Sequence, residues 1–205
     1  MIDEILRSLT GAGGGGRFIL VLAGPNGAGK STFHDLHVRP LGLPFINADL
    51  IARDLEEPDD ERRARSAAAL ADMERREFVS RGESFCMETV FSDPVGAKLD
   101  FLQSARREGY EVILVFIGLD SPELSLARVV QRVAQGGHDV PQTRLSSRYP
   151  RTLVNLQAAV SVVDMALLLD NSDVDTPYRF VALFVRGRRR KKARRVPAWA
   201  RKIVE

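Results

Sequence analysis

The 205-residue chain has one cysteine, one tryptophan, three tyrosines and three histidines. A lone cysteine excludes an internal disulfide. Cys86 stands between Phe85 and Met87 in an apolar run with no base beside it, so it reads as a small buried hydrophobe rather than a nucleophile. No segment approaches the length of an apolar membrane span, and the opening MIDEILRSLTGAGGGGR has an early acidic pair and no cleavable-signal pattern. A cytoplasmic protein without membrane contact is expected. Acids are missing from one stretch in particular: between Arg186 and Lys202 there are ten of the 30 Lys and Arg residues and no Asp or Glu. The net charge of +3 therefore hides an acidic body and a basic tail. An acidic body argues against a nucleic-acid groove across the main domain and leaves the tail as the one polyanion contact; a solvated tail that aids solubility is the alternative.

What remains is ordinary for a globular protein, with 44% hydrophobic and 28% charged residues, enough for one domain with a sizeable core. Residues 2 to 9 suit a short helix and GAGGGG a flexible linker, so residues 1–17 are set apart. The domain is expected over 18–185 and the basic tail over 186–205. Apolar runs at 18–23, 44–49, 83–91, 110–119, 163–169 and 180–186 read as strands. Helical stretches at 61–81, 94–108, 122–135 and 141–161 alternate with them. That order predicts an α/β three-layer sandwich with a mostly parallel sheet, its strands covered on both faces.

The most informative stretch is FILVLAGPNGAGKSTF, residues 18 to 33. It fits GxxxxGK[ST], and an apolar strand leads into it as that motif requires. Gly24, Gly27 and Gly29 free the backbone so that N–H groups of Gly24, Pro25, Asn26, Gly27, Ala28, Gly29, Lys30, Ser31 and Thr32, proline excepted, can converge on one anion at a helix N-terminus. The ligand expected is ATP with Mg2+: Lys30 reaches the β- and γ-phosphates and the Ser31 hydroxyl ligates the metal.

Ligands of open α/β sheets sit beyond the carboxyl ends of the strands, and three of those ends carry acids, Asp49, Glu88 and Asp120. Transfer to a hydroxyl needs a carboxylate to accept its proton, and Asp49, ending the strand expected beside the phosphate-loop strand, is the candidate; its other use is as a helix N-cap. Glu88 can bind an acceptor hydroxyl or magnesium-bound water, with Thr89 beside it, or be a plain strand end. Asp120 fits either a second magnesium acid or a turn. Positive charge comes from 128–156, where Arg128 and Arg132, and again Arg144 and Arg148, are one helical turn apart. Gly136 and Gly137 between them suit a hinge, and His138 suits a substrate contact or a pin for the loop, so the segment reads as a lid.

In order, GPNGAGKST, FINADLIA, SFCMETVFSD, RVAQGGHDVPQTRLSSRYPRTLVNL and LLLDNS resemble the motifs of the zeta-toxin-like P-loop kinases, over about residues 18 to 172. The resemblance implies a nucleoside-kinase-like P-loop fold and an ATP- and magnesium-dependent kinase of small molecules. The favoured acceptor is a sugar hydroxyl of UDP-N-acetylglucosamine, and an antitoxin protein is implied as partner where such a kinase is a toxin. It further implies Lys30 and Ser31 on ATP and magnesium, Asp49 as base, Glu88 at the acceptor, Arg132 as the first lid arginine and Arg148 or Arg144 as the second. Two other readings are an RNA-associated NTP-binding protein and a polynucleotide kinase, each using the basic tail.

Overall fold

The computed structural model describes Glu4, residues 16–134 and residues 142–205. Gly136, Gly137, His138 and the side chain of Arg144 lie outside the described residues, as does the helix expected at 2–9, Glu4 apart. The elements are β1 (Phe18–Ala23), α1 (Lys30–Phe33, prolonged by irregular helical turns to Leu41), β2 (Phe45–Ile46), α2 (Ala48–Arg53), α3 (Asp60–Arg81), β3 (Phe85–Thr89), α4 (Ala97–Arg107), β4 (Glu111–Gly118), α5 (Pro122–Ala134), α6 (Gln142–Val162), β5 (Met165–Asp170), β6 (Arg179–Val185), β7 (Arg188–Lys192) and α7 (Arg201–Val204). They form a seven-stranded sheet in the order β2-β3-β1-β4-β5-β6-β7, parallel from β2 to β5 and antiparallel at β6 and β7.

Alternation along the strands separates two apolar layers. Ile19, Val21, Phe85, Met87, Leu114, Phe116 and Leu168 face one way, with Ala71 and Val79 of α3, Leu102 of α4 and Leu156 of α6. Leu20, Leu22, Cys86, Val115, Ile117 and Leu169 face the other, with Phe33 and Val38. The three-layer α/β sandwich expected from the strand and helix order is the fold observed. Cys86 is fully buried, and burial, then the charge of Glu88, pushes its thiol pKa well above the ordinary value.

Two expectations are corrected. The strand that ends before Asp49 does not neighbour the phosphate-loop strand: β3 pairs with β1, placing Glu88 beside Leu22, and β2 is a two-residue edge strand on the far side of β3. Five residues of β3 can fill a central position, whereas β2 offers backbone pairing for only two. The second correction concerns the tail. Residues Arg188–Lys192 pair antiparallel with β6 through a two-residue turn, Arg186 and Gly187, both with positive φ (50° and 72°), the geometry that matches the twist of a tight hairpin. All five β7 side chains are exposed, so nothing in their chemistry announces a strand; only the backbone pairs.

The segment beyond β7 returns to the core. Trp199 is 6% exposed, its ring centroid is 5.5 Å from that of Phe116, and its Nε1 donates to Asp170 Oδ1 at 3.0 Å. The ring lies so close over β4 that a Cβ at Gly118 would stand 2.3 Å from it. The Arg189 guanidinium donates to the Val204 carbonyl and ties the segment to β7. Residues 188–204 are thus part of the domain. Trp199→Ala should lower the unfolding free energy by about 3–5 kcal/mol, the scale for deleting a buried aromatic. Denaturant titration checks this, and a loss below about 1 kcal/mol would mean a detachable segment.

Candidate active site

The phosphate loop joins β1 to α1 and is wedged against the ends of β4 and β5. Gly24 has φ 148° and runs against β4 so closely that a Cβ would meet the Ile117 carbonyl oxygen at 2.2 Å. Gly29, with φ 86°, is backed by Asn171 and Tyr178, leaving 2.7 Å between a Cβ and Asn171 Nδ2. Neither position admits a side chain. The loop carbonyls are tied from behind: Ser125 Oγ donates to Asn26 O at 2.6 Å, Asn171 Nδ2 to Ala28 O at 2.9 Å and Tyr178 Oη to Gly29 O at 2.9 Å. With its carbonyls held on the sheet side, the loop is fixed by residues from α5 and from the chain after β5.

Lys30 is 6% exposed. Its Nζ donates to Gly24 O and Pro25 O, both at 3.1 Å, and lies 3.7 Å from Glu88 Oε1. Burial lowers its pKa, the charges of Glu88 and then Asp49 oppose that, and the charge of Arg132 adds to it. Ser31 Oγ donates to Glu88 Oε2 at 3.2 Å, and Asn47 Nδ2 donates to the same oxygen at 2.9 Å. Glu88 therefore sits on the phosphate loop itself, between Lys30 and Ser31. Among the described residues no group of three or more His, Cys, Asp or Glu could hold a metal. One serine hydroxyl and one carboxylate instead suit magnesium, which is typically bound by one or two protein ligands together with substrate phosphates.

Asn47 has a second role. Its Oδ1 accepts from the backbone N–H of Asp49 (2.7 Å) and Leu50 (3.4 Å), so Asn47, not Asp49, is the N-cap of α2. The Asp49 carboxylate is left to face a cavity of about 600 Å3 that it lines together with Ser31, His34, Phe45 and Arg132. Thr89 Oγ1 accepts from the Phe91 backbone at 3.0 Å and braces its own loop. Asp120 is exposed beyond β4, where its charge bears on Tyr149. Burial first, and Asp120 and other acids after it, push the Tyr149 hydroxyl up to about 12. Arg148 is half-buried on α6, is not among the described residues lining the cavity, and its carbonyl accepts from Thr152. The structure thus brings together Lys30, Ser31, Asp49, Glu88 and Arg132. Sequence reasoning missed Asn47, Ser125 and Tyr178; the first stands in the FINAD motif, two residues before the acid chosen from it.

The family model AAA_33, an AAA domain, matches residues 19–148. An uncharacterised protein of Haemophilus influenzae is 29% identical over 131 residues, 62% of this chain and 88% of that protein. Among solved structures, the chain resembles one from the PezAT chromosomal toxin–antitoxin system of Streptococcus pneumoniae, with TM-score 0.56 and 19% identity, over 82% of this chain and 75% of that one. It also resembles one from the AvrRxo1-ORF1:-ORF2 structure with ATP, with TM-score 0.67 and 18% identity, over 92% and 68%. At such identities the likeness is one of fold. No helix among the described residues is long and apolar enough to cross a membrane.

A titration follows from the burial of Lys30. A lysine keeps its charge below its pKa and loses it as pH rises through that value, and here the value is moved below 10.5. Affinity for a triphosphate, measured with a fluorescent ATP analogue, should decline on the alkaline side at a pH beneath the ordinary lysine range. A decline only at or above 10.5 would contradict the burial effect.

Proposed function

The chain belongs to the AAA domain family, and from that premise we propose that it is a phosphotransferase moving the γ-phosphoryl of ATP to an alcohol hydroxyl of a small nucleotide-like acceptor. UDP-N-acetylglucosamine is the favoured acceptor. The observation that carries this reading is that the phosphate loop and a carboxylate free of capping duty share one cavity, lined by both Ser31 and Asp49. In the proposed reaction Asp49 takes the proton of the acceptor hydroxyl, whose oxygen bonds to the γ-phosphorus as the bond to the bridging oxygen breaks and ADP leaves. Lys30 exchanges its carbonyl partners for phosphate oxygens. Arg132, whose charge already reaches Lys30, offsets charge on the transferring group. Magnesium, held through Ser31 Oγ with Glu88 alongside, would neutralise phosphate charge. A zeta-type toxin role with an antitoxin partner belongs to the same reading, and Lys30→Ala should then relieve growth arrest on expression.

One observation favours a second reading, an RNA-associated NTP-binding protein: the row of exposed Arg and Lys on β7. That strand is at the edge opposite β2, six strand spacings or roughly 29 Å from it, so the row does not border the cavity. RNA binding that weakens steeply with salt would support it.

The test is to incubate the protein with labelled ATP, magnesium and a panel of nucleotide sugars, nucleotides, NAD and short RNAs, and to identify what is labelled. Lys30→Ala should abolish transfer; a wild-type rate in that variant would end the kinase reading. Asp49→Asn should cut kcat by roughly two orders of magnitude or more with ATP binding nearly intact, as for loss of a general base. Failure to bind ATP would instead put Asp49 in the metal shell. Arg132→Ala is expected to lower kcat about 10²-fold or more, the scale for one oriented donor, with less effect on ATP affinity, whereas Arg148→Ala, at a residue that does not line the cavity, is expected to do less. Silence at Arg132 would remove arginine stabilisation from the scheme.

A further inference from the structure

Helix α2 turns a second charged side chain toward the cavity, one that the proposed reaction does not use. Arg53 follows Asp49 by four residues, so the two share a helix face with Cβ atoms about 6 Å apart, and both line the cavity. The arginines around that space differ in their commitments. Arg39 is paired with Asp35 at 2.5 Å, and Arg63 is paired with Asp60 and donates to Glu57 O at 2.7 Å. Arg53 alone of these three has no hydrogen-bond or ion-pair partner among the described residues. Another part of the wall is flat and aromatic, where His34 stacks on Phe45 with centroids 3.6 Å apart and planes inclined by 16°.

An exposed arginine is usually explained by solvation alone. Here its position makes the difference: the backbone of α2, capped by Asn47, fixes it one turn from the carboxylate that faces the acceptor. A guanidinium is a planar fork of donors that matches phosphate or carboxylate oxygens in pairs. Resting on the kinase reading of Asp49, we propose that Arg53 binds an anionic group of the acceptor, phosphate or carboxylate, while Asp49 receives the hydroxyl. The acceptor is then an anionic alcohol whose charge and reacting hydroxyl are spaced by about one helical turn, rather than a neutral sugar. Ring or base surface on that molecule finds the wall formed by Phe45 and His34.

The test uses the full chain with its phosphate loop saturated by magnesium and the non-hydrolysable analogue AMPPNP. Calorimetric titrations compare UMP, UDP-N-acetylglucosamine and gluconate with the uncharged uridine and N-acetylglucosamine. At least one anionic probe should bind. Arg53→Gln should weaken it about 10- to 100-fold, the scale for a hydrogen-bonded charge, and Arg53→Lys should recover part of the loss. Arg53-dependent binding of UMP assigns phosphate, and of gluconate carboxylate. Uncharged probes should bind more weakly and ignore the substitution. The proposal is overturned if no anionic probe binds, if Arg53→Gln binds them as well as the wild type, or if uridine or N-acetylglucosamine binds as tightly as its charged counterpart. Arg53 is exposed, so an unchanged melting temperature is expected and separates lost binding from lost folding. Failure of the kinase reading looks different: Arg53-dependent binding would persist while no probe acquires labelled phosphate.

Discussion

An ammonium group taken almost entirely out of water needs compensation, and much of this site can be understood from that requirement at Lys30. Two loop carbonyls accept from it, Glu88 stands within ion-pair distance, and Asp49 adds a longer-range attraction. Each of these imposes a further demand. The loop that turns the Gly24 and Pro25 carbonyls toward Nζ also presses on β4, which excludes a side chain at Gly24. Glu88 must end the strand adjacent to β1, and its Oε2 is then shared by Ser31 and Asn47. Asn47 in turn caps α2 and so sets the direction in which Asp49 and Arg53 leave the helix. The phosphate loop and the α2 wall of the cavity are linked through one carboxylate and one amide.

The parts of this arrangement that were legible in the sequence are those written in side-chain type and spacing. Gly24, Gly29, Lys30 and Ser31 declare the loop because each is chemically irreplaceable in its role. The run from Glu111 to Gly118 declares a central strand because both its faces are covered. Strand order was not legible in the same way. Nothing local in FINAD or SFCMETVF says which of two parallel strands lies next to β1, since crossover connections leave both options open. Whether Asp49 caps a helix also turned on a neighbour: Asn47 takes the first N–H groups of α2, so the helix starts before Asp49, and only the backbone geometry shows this.

The basic segment failed for a different reason. Strand prediction rests on the burial pattern, and β7 has none, because every one of its side chains is in water. Its structure comes from backbone pairing with β6 and from Trp199, a residue whose burial needs Phe116, Gly118 and Asp170 from elsewhere in the chain. Charge on such an edge has one evident physical use even without a partner, since five adjacent cations prevent another strand from pairing there. The two edges of the sheet are thereby specialised: short and cavity-forming at β2, long and repelling at β7.

The rear support of the phosphate loop comes late in the chain. Gly29 is buttressed by Asn171 and Tyr178, and the adjacent Asp170 is held by Ser172, Arg179 and Trp199. Synthesis proceeds from the N-terminus, so a nascent chain exposes its nucleotide loop long before those supports leave the ribosome. During that interval β4 can already press on Gly24, but Gly29 has neither Asn171 nor Tyr178 behind it. Nascent chains that end before Tyr178 therefore carry the phosphate-loop motif without the side chains that back its Gly29 end.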